Sequence, residues 1–141
     1  MISLGGSIWI ILIALIGAVI LLRFGSRIFS AAGPGAGIPQ VDAREAARLI
    51  DEQNAIVVDV RTEMEYAAGR IPQAMHVSLR QLPDRIDRLE KYKNRPIVVS
   101  CRTGSRSQSA CAYLAEQGFE EVYNLKGGLR AWARAKQRIV N

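Results

Sequence analysis

The chain is poor in the residues that hold metals: its 141 residues include one histidine, His76, and two cysteines, Cys101 and Cys111. No metal-ligand spacing links them, so a zinc site is not supported, and His76 lies in no motif that would pair it with a cysteine nucleophile. Acidic residues are missing before Val41, where the only charged side chains are Arg23 and Arg27. Aromatic residues make up 6% of the chain and form no motif interleaved with basic ones, which argues against nucleic-acid binding. No repeat at solenoid periods is visible, and low complexity is confined to one Gly/Pro segment.

The length admits one domain of ordinary size with something appended. Ile2 to Leu22 carries no charge and is rich in Ile, Leu, Ala and Gly. At 1.5 Å per residue it would span about 31 Å as a helix, enough for a bilayer core, and it is expected to be a transmembrane anchor occupying residues 1–24. A cleaved signal peptide with Ser30-Ala31-Ala32 as its cleavage site is the rival reading. Against it, the positive charges follow the apolar run and do not precede it. Gly33-Pro34-Gly35-Ala36-Gly37-Ile38-Pro39 belongs to a linker over residues 25–40, and the remaining domain spans residues 41–141. With Arg23 and Arg27 just after the run, the positive-inside rule leaves the C-terminal domain in the cytoplasm.

Within that domain helical and strand patterns alternate. Asp42-Ala43-Arg44-Glu45 reads as a capping box opening a helix to about Gln53, and Thr62 to Glu65 opens a short one. Strands are expected over Ala55–Val60, Met75–Ser78, Ile97–Ser100 and Glu121–Asn124. Further helices are expected over Leu82–Lys91 with Ile86 and Leu89 inward, over Ser105–Gln117, and from Gly128 to about Lys136. Strands separated by helices imply an α/β fold with a mostly parallel central sheet flanked by helices, its site on loops at strand C-termini.

The net charge of +6 includes a basic stretch of Arg80, Arg85, Arg88, Lys91, Lys93 and Arg95, partly balanced by Asp84, Asp87 and Glu90. A solvated helix face is the simplest account of it; attraction to anionic lipid headgroups is the functional alternative.

The most informative stretch is Cys101-Arg102-Thr103-Gly104-Ser105-Arg106-Ser107. It follows a β-branched run and opens a helix that Ser105 or Ser107 can cap, so backbone N–H groups point into the loop and Gly104 can take the positive φ that converges them. An anion belongs there. A helix N-terminus and two guanidinium groups are expected to lower the Cys101 pKa from about 8.5 to about 5 to 7.5. Cys111, one turn beyond Ser107, is expected to face the core as an inert apolar residue.

At these residues the chain resembles the single-domain rhodaneses, a sulfurtransferase family with an active loop of the form C-R-x-G-x-R-[ST]. Val57-Val58-Asp59-Val60-Arg61 resembles the family's strand ending in D-x-R. Glu65 to Ala74 resembles its E-[FY]-x-x-G-H-I-P-G-A segment, with Arg70 in place of histidine and Gln73 in place of glycine. Leu125-Lys126-Gly127-Gly128-Leu129-Arg130-Ala131-Trp132 resembles the closing L-x-G-G-x-x-x-W.

The resemblance covers about Val41 to Ala135. It implies that Cys101 takes sulfane sulfur from a small anionic donor such as thiosulfate and passes it, as a persulfide, to a thiol or cyanide, with no cofactor. Thr103, Gly104, Ser105 and Ser107 would cradle the anion and Arg102 and Arg106 would bind it, though one arginine could instead brace the loop. Asp59 is expected to support the site by pairing with a loop arginine. Arg61 is expected to line the mouth or to pair with Glu65 at the surface, and Trp132 to pack the last helix on the core.

Two other readings compete. Phosphatases share the fold but use C-x5-R; here Arg106 gives C-x4-R and Ser107 holds the phosphatase arginine's position, which disfavours phosphatase or arsenate reductase chemistry. A membrane-tethered interaction or sulfur-relay module with little small-molecule turnover is the other, although such domains commonly lose the cysteine that this chain keeps.

Overall fold

The computed structural model describes residues 37–141. The expected anchor and most of the linker lie outside the described residues, and among those described no helix is long and apolar enough to cross a membrane.

Five parallel strands form one sheet: β1 (Gln40–Val41), β2 (Ile56–Asp59), β3 (Met75–His76), β4 (Ile97–Ser100) and β5 (Val122–Leu125), in the order β1-β5-β4-β2-β3. The α-helices among the described residues are α1 (Ala43–Gln53), α2 (Glu63–Ala68), α3 (Ser105–Glu116) and α4 (Gly128–Arg134). Their β-branched sequences suit β2 and β4 to burial on both faces. Val58, Ile97 and Val99 pack with Ala110, Cys111 and Leu114 of α3 on one face, while Val57 and Val98 pack with Ala46 of α1 and Trp132 of α4 on the other.

From β2 the chain leaves toward one edge of the sheet, to β3, and from β4 it leaves toward the other, to β5. The C-terminal ends of β2 and β4 therefore flank a topological switch point, where open α/β sheets bind ligands. Asp59 and Arg61 sit at one of these ends and Cys101 at the other.

Both expected capping boxes form: the Asp42 side chain accepts from Arg44 N and Glu45 N, and Thr62 accepts from Glu65 N, each with its glutamate returning a bond. The segment Leu82–Lys91 is not an α-helix. It is a run of 3₁₀ turns, Leu79–Gln81, Pro83–Arg88 and Glu90–Tyr92, with Arg85 at φ −125°. Of the two residues expected inward, Leu89 is fully buried and Ile86 is partly buried against the same core, while packing overrode the α-helical winding. β1, two residues long, is an element the sequence pattern did not show.

Candidate active site

Cys101 follows β4 on the face covered by α3, and its Sγ sits in a ring of donors. Gly104 N donates to Sγ at 3.1 Å and Ser107 Oγ at 3.3 Å. Burial pushes the thiol pKa up, but the Ser107 hydroxyl and the N–H groups of Ser107, Gly104 and Thr103 outweigh it, and the net shift is downward. The downward direction expected from the sequence is present, and of the two expected causes the N–H groups at the start of α3 act, joined by the Ser107 hydroxyl, while guanidinium charges are not among the leading ones.

Three features hold the loop in this shape. Gly104 takes φ +101° as the N-cap of α3 with no side-chain cap, so neither Ser105 nor Ser107 caps the helix: Ser107 turns its hydroxyl to the sulfur. A Cβ on Gly104 would stand 3.2 Å from Gly127 N. On the far side, the start of α4 takes up the loop's carbonyls. Leu129 N donates to Cys101 O at 2.8 Å and Arg130 N to Arg102 O at 3.2 Å, freeing the loop's N–H groups to face inward. Gly128 permits that approach, because a Cβ there would lie 2.5 Å from Cys101 O. Third, Asn124 of β5 is buried and its Nδ2 donates to Gly104 O at 3.1 Å, and to Gln40 and Gln108. Neither the Gly128 brace nor Asn124 was found from the sequence, where the Gly-Gly pair stood only as part of a motif.

The arginines divide their labour. Arg106 forms two 2.8 Å hydrogen bonds to the carboxylate of Glu65. These bonds hold the Glu65 carboxyl well below the usual carboxylate range, with Thr62 assisting and burial opposing, and they raise the Arg106 pKa. Arg106 thus braces the loop against α2. Arg102 is exposed and has no ion-pair partner among the described residues.

Two expectations need correction. Asp59 does not pair with a loop arginine: it is buried and bound by Arg61, whose Nε lies 2.9 and 3.0 Å from its two oxygens and whose terminal nitrogen lies 2.7 Å away. Arg61 does not make a surface salt bridge to Glu65 either. It is buried and donates to the backbone carbonyls of Glu65 and Gly69, tying α2 to the end of β2. The short Asp-x-Arg spacing lets one chain turn satisfy both charges, leaving neither to the loop.

Cys111 lies fully buried on α3, and burial pushes its pKa up to about 12. Trp132 packs in the core with its indole N–H donating to Arg138 O at 2.8 Å. His76 stacks on Tyr66, its Nε2 lies 2.8 Å from Arg61 O, and it borders a cleft of about 680 Å³ that also meets Arg106. Among the described residues no group of His, Cys, Asp and Glu is placed to hold a metal.

A strand-end thiol with its pKa lowered, in a loop of inward N–H groups at the switch point of a parallel sheet, is an arrangement suited to a nucleophile that meets an anionic substrate. Comparison with known proteins narrows this. Residues 42–135 match the rhodanese-like domain family. A protein named sulfurtransferase from Allochromatium vinosum is 41% identical over 104 residues, covering 73% of this chain and 95% of that one. The thiosulfate sulfurtransferase GlpE of Pseudomonas fluorescens is 44% identical over 88 residues, covering 62% and 79%. Among solved structures, the rhodanese-like domain of an Anabaena protein superposes with a TM-score of 0.65 at 31% identity, covering 73% and 79%. The chain belongs to the rhodanese-like domain family, as an enzyme of the rhodanese sulfurtransferase type.

Proposed function

We propose that this protein carries sulfane sulfur as a Cys101 persulfide from a thiosulfate-like donor to a thiol or cyanide acceptor. The observation that carries the reading is the ring of donors on Cys101 Sγ, which stabilises the thiolate and would equally hold an added sulfur anion. The Cys101 thiolate attacks the outer sulfur of thiosulfate. A bond forms from Sγ to that sulfur, the sulfur–sulfur bond to the sulfonate breaks, and its electron pair leaves on sulfite. Sulfite is a stable anion, so no general acid is required. The N–H groups of Thr103, Gly104 and Ser107 and the Ser107 hydroxyl face the charge, Ser105 lies on the rim, and Arg102 attracts the incoming dianion. Arg106 and the Asp59–Arg61 pair position the loop and its neighbour α2.

Ser107 stands where a C-x5-R phosphatase loop has arginine, and it is buried against the sulfur. This favours sulfur over phosphoryl chemistry.

The second half of the proposal is location. The uncharged run Ile2–Leu22 anchors the chain in the membrane, and Arg23 and Arg27 keep the domain on the cytoplasmic side, where thiols stay reduced.

Intact-mass measurement of the full chain in detergent after thiosulfate treatment tests the chemistry: one added sulfur atom on Cys101 is expected, and none would overturn it. Membrane-impermeant thiol labelling tests the location. Labelling of Cys101 in inverted vesicles alone is expected, and labelling in intact cells would overturn the cytoplasmic assignment.

A further inference from the structure

Beside the loop runs a groove of about 320 Å³ with apolar walls from Ala68, Leu129, Ala133 and Ile139 and two guanidinium groups, Arg102 and Arg130. Its volume is at the small end of the range for small-molecule sites, about 300 to 1,000 Å³. Its electrostatics are uneven. The lining carboxylate, Glu65, is engaged by Arg106, and Arg61 is engaged by Asp59. Arg102 and Arg130 are exposed, have no ion-pair partner among the described residues, and cannot gain one from residues 1–36, which contain no Asp or Glu. The groove therefore combines apolar walls with unneutralised positive charge, and it abuts the nucleophile's own backbone: Leu129 N bonds to Cys101 O and Arg130 N to Arg102 O.

We infer that this groove selects the sulfur acceptor as a small thiol with an apolar body and a carboxylate, the carboxylate meeting Arg130 and Arg102 and the body lying against Leu129 and Ile139. The inference rests on the sulfur-transfer reading and names the acceptor class for it. After the persulfide takes a proton from water, the acceptor thiolate attacks its outer sulfur. The new sulfur–sulfur bond forms as the bond to Sγ breaks, the electron pair returns to Sγ, and the acceptor departs as its own persulfide with that proton on the terminal sulfur. Sulfite has left by then, so Arg102 can serve donor and acceptor in turn. Arg130 gives the groove its second charge.

The test uses the full chain in detergent, loaded with thiosulfate and confirmed by mass to carry one extra sulfur. Discharge is timed with 3-mercaptopropionate and 6-mercaptohexanoate and with the uncharged 3-mercaptopropanol and 6-mercaptohexanol. The expected result is a preference of about tenfold or more in kcat/KM for the carboxylate of each pair, measured per thiolate at matched ionisation. Arg130→Gln should reduce that ratio severalfold, with the loss falling on KM for the carboxylate, and Arg130→Lys should restore most of it. Equal discharge by charged and neutral thiols, or a ratio unmoved in Arg130→Gln, overturns the acceptor assignment alone. Failure to gain sulfur overturns sulfur transfer and this assignment with it.

Discussion

Cys101 and Cys111 are both fully buried, pack in the same core cluster, and shift their ionisation in opposite directions. Cys111 shows what burial does to a thiol that has no compensating donors: burial first, and then the neighbouring charge of Cys101, push its pKa up to about 12. Cys101 also meets a burial cost, and three N–H groups and one hydroxyl reverse it. Reactivity here is therefore a property of where backbone donors converge, and exposure of the thiol does not decide it.

The largest contrast is chemical. Cys101→Ser should reduce sulfur uptake from thiosulfate to background, whereas Cys111→Ala should leave most of it. Mass spectrometry of the treated variants and turnover with cyanide measure both. Equal loss in two well-folded variants would show that the buried thiol takes part and would end the distinction.

Next, the cradle can be dismantled without touching either cysteine. Gly128 has φ +58°, and a Cβ there would meet Cys101 O and the Arg102 carbonyl carbon at 2.5 and 2.6 Å. Gly128→Ala must push α4 off the loop or force the loop to move. A stability loss of more than about 2 kcal/mol in chemical unfolding is expected. Cys101 alkylation should move toward alkaline pH as the converging N–H groups spread. Unchanged stability and an unchanged alkylation profile would remove α4 from the account of the thiolate.

Ser107→Ala is the finer cut, since it removes one donor and keeps the backbone. A hydrogen bond to a charged group contributes about 1.5 to 3 kcal/mol, so the Cys101 pKa should rise by about one to two pH units. The pH dependence of its reaction with iodoacetamide measures this directly. A shift below a few tenths of a unit would mean that the backbone alone stabilises the anion.

The sequence made some of this contrast readable and hid the rest. The β-branched run and the glycine were enough to place a loop of converging N–H groups between β4 and α3, because those signals are local, whereas the expected serine cap did not form. The expected apolar character of Cys111 followed from its helical spacing to the loop. The direction of the arginines was not readable, since Arg106 finds Glu65 across the fold and Asp59 finds Arg61 two residues away in place of the loop. The role of Gly128 was hidden for the same reason: its neighbour is the Cys101 carbonyl, remote in sequence. Helix winding at Leu82–Lys91 failed locally, where the apolar spacing suited an α-helix and tertiary packing imposed 3₁₀ turns.

The smallest effect concerns the Arg106–Glu65 pair and separates bracing from activation. Glu65 has its folded pKa depressed below an unfolded value of about 4.3, first by Arg106 and then by Thr62. The stability it contributes is therefore fully present above that value and is lost as pH falls through the folded pKa. Both side chains are partly exposed, at 36% for Arg106 and 27% for Glu65, so solvent screening limits the contribution to about 1 kcal/mol. Glu65→Gln should lower thermal stability slightly at pH 7, and the gap to the parent protein should narrow as pH drops below about 4. The charge of Arg106 would remain, released from its partner, yet the alkylation midpoint of Cys101 should move by less than about half a unit, because hydrogen bonds within the loop dominate. A larger downward shift would mean that Glu65 normally withholds the guanidinium from the sulfur, and electrostatic activation by Arg106 would then stand beside the cradle.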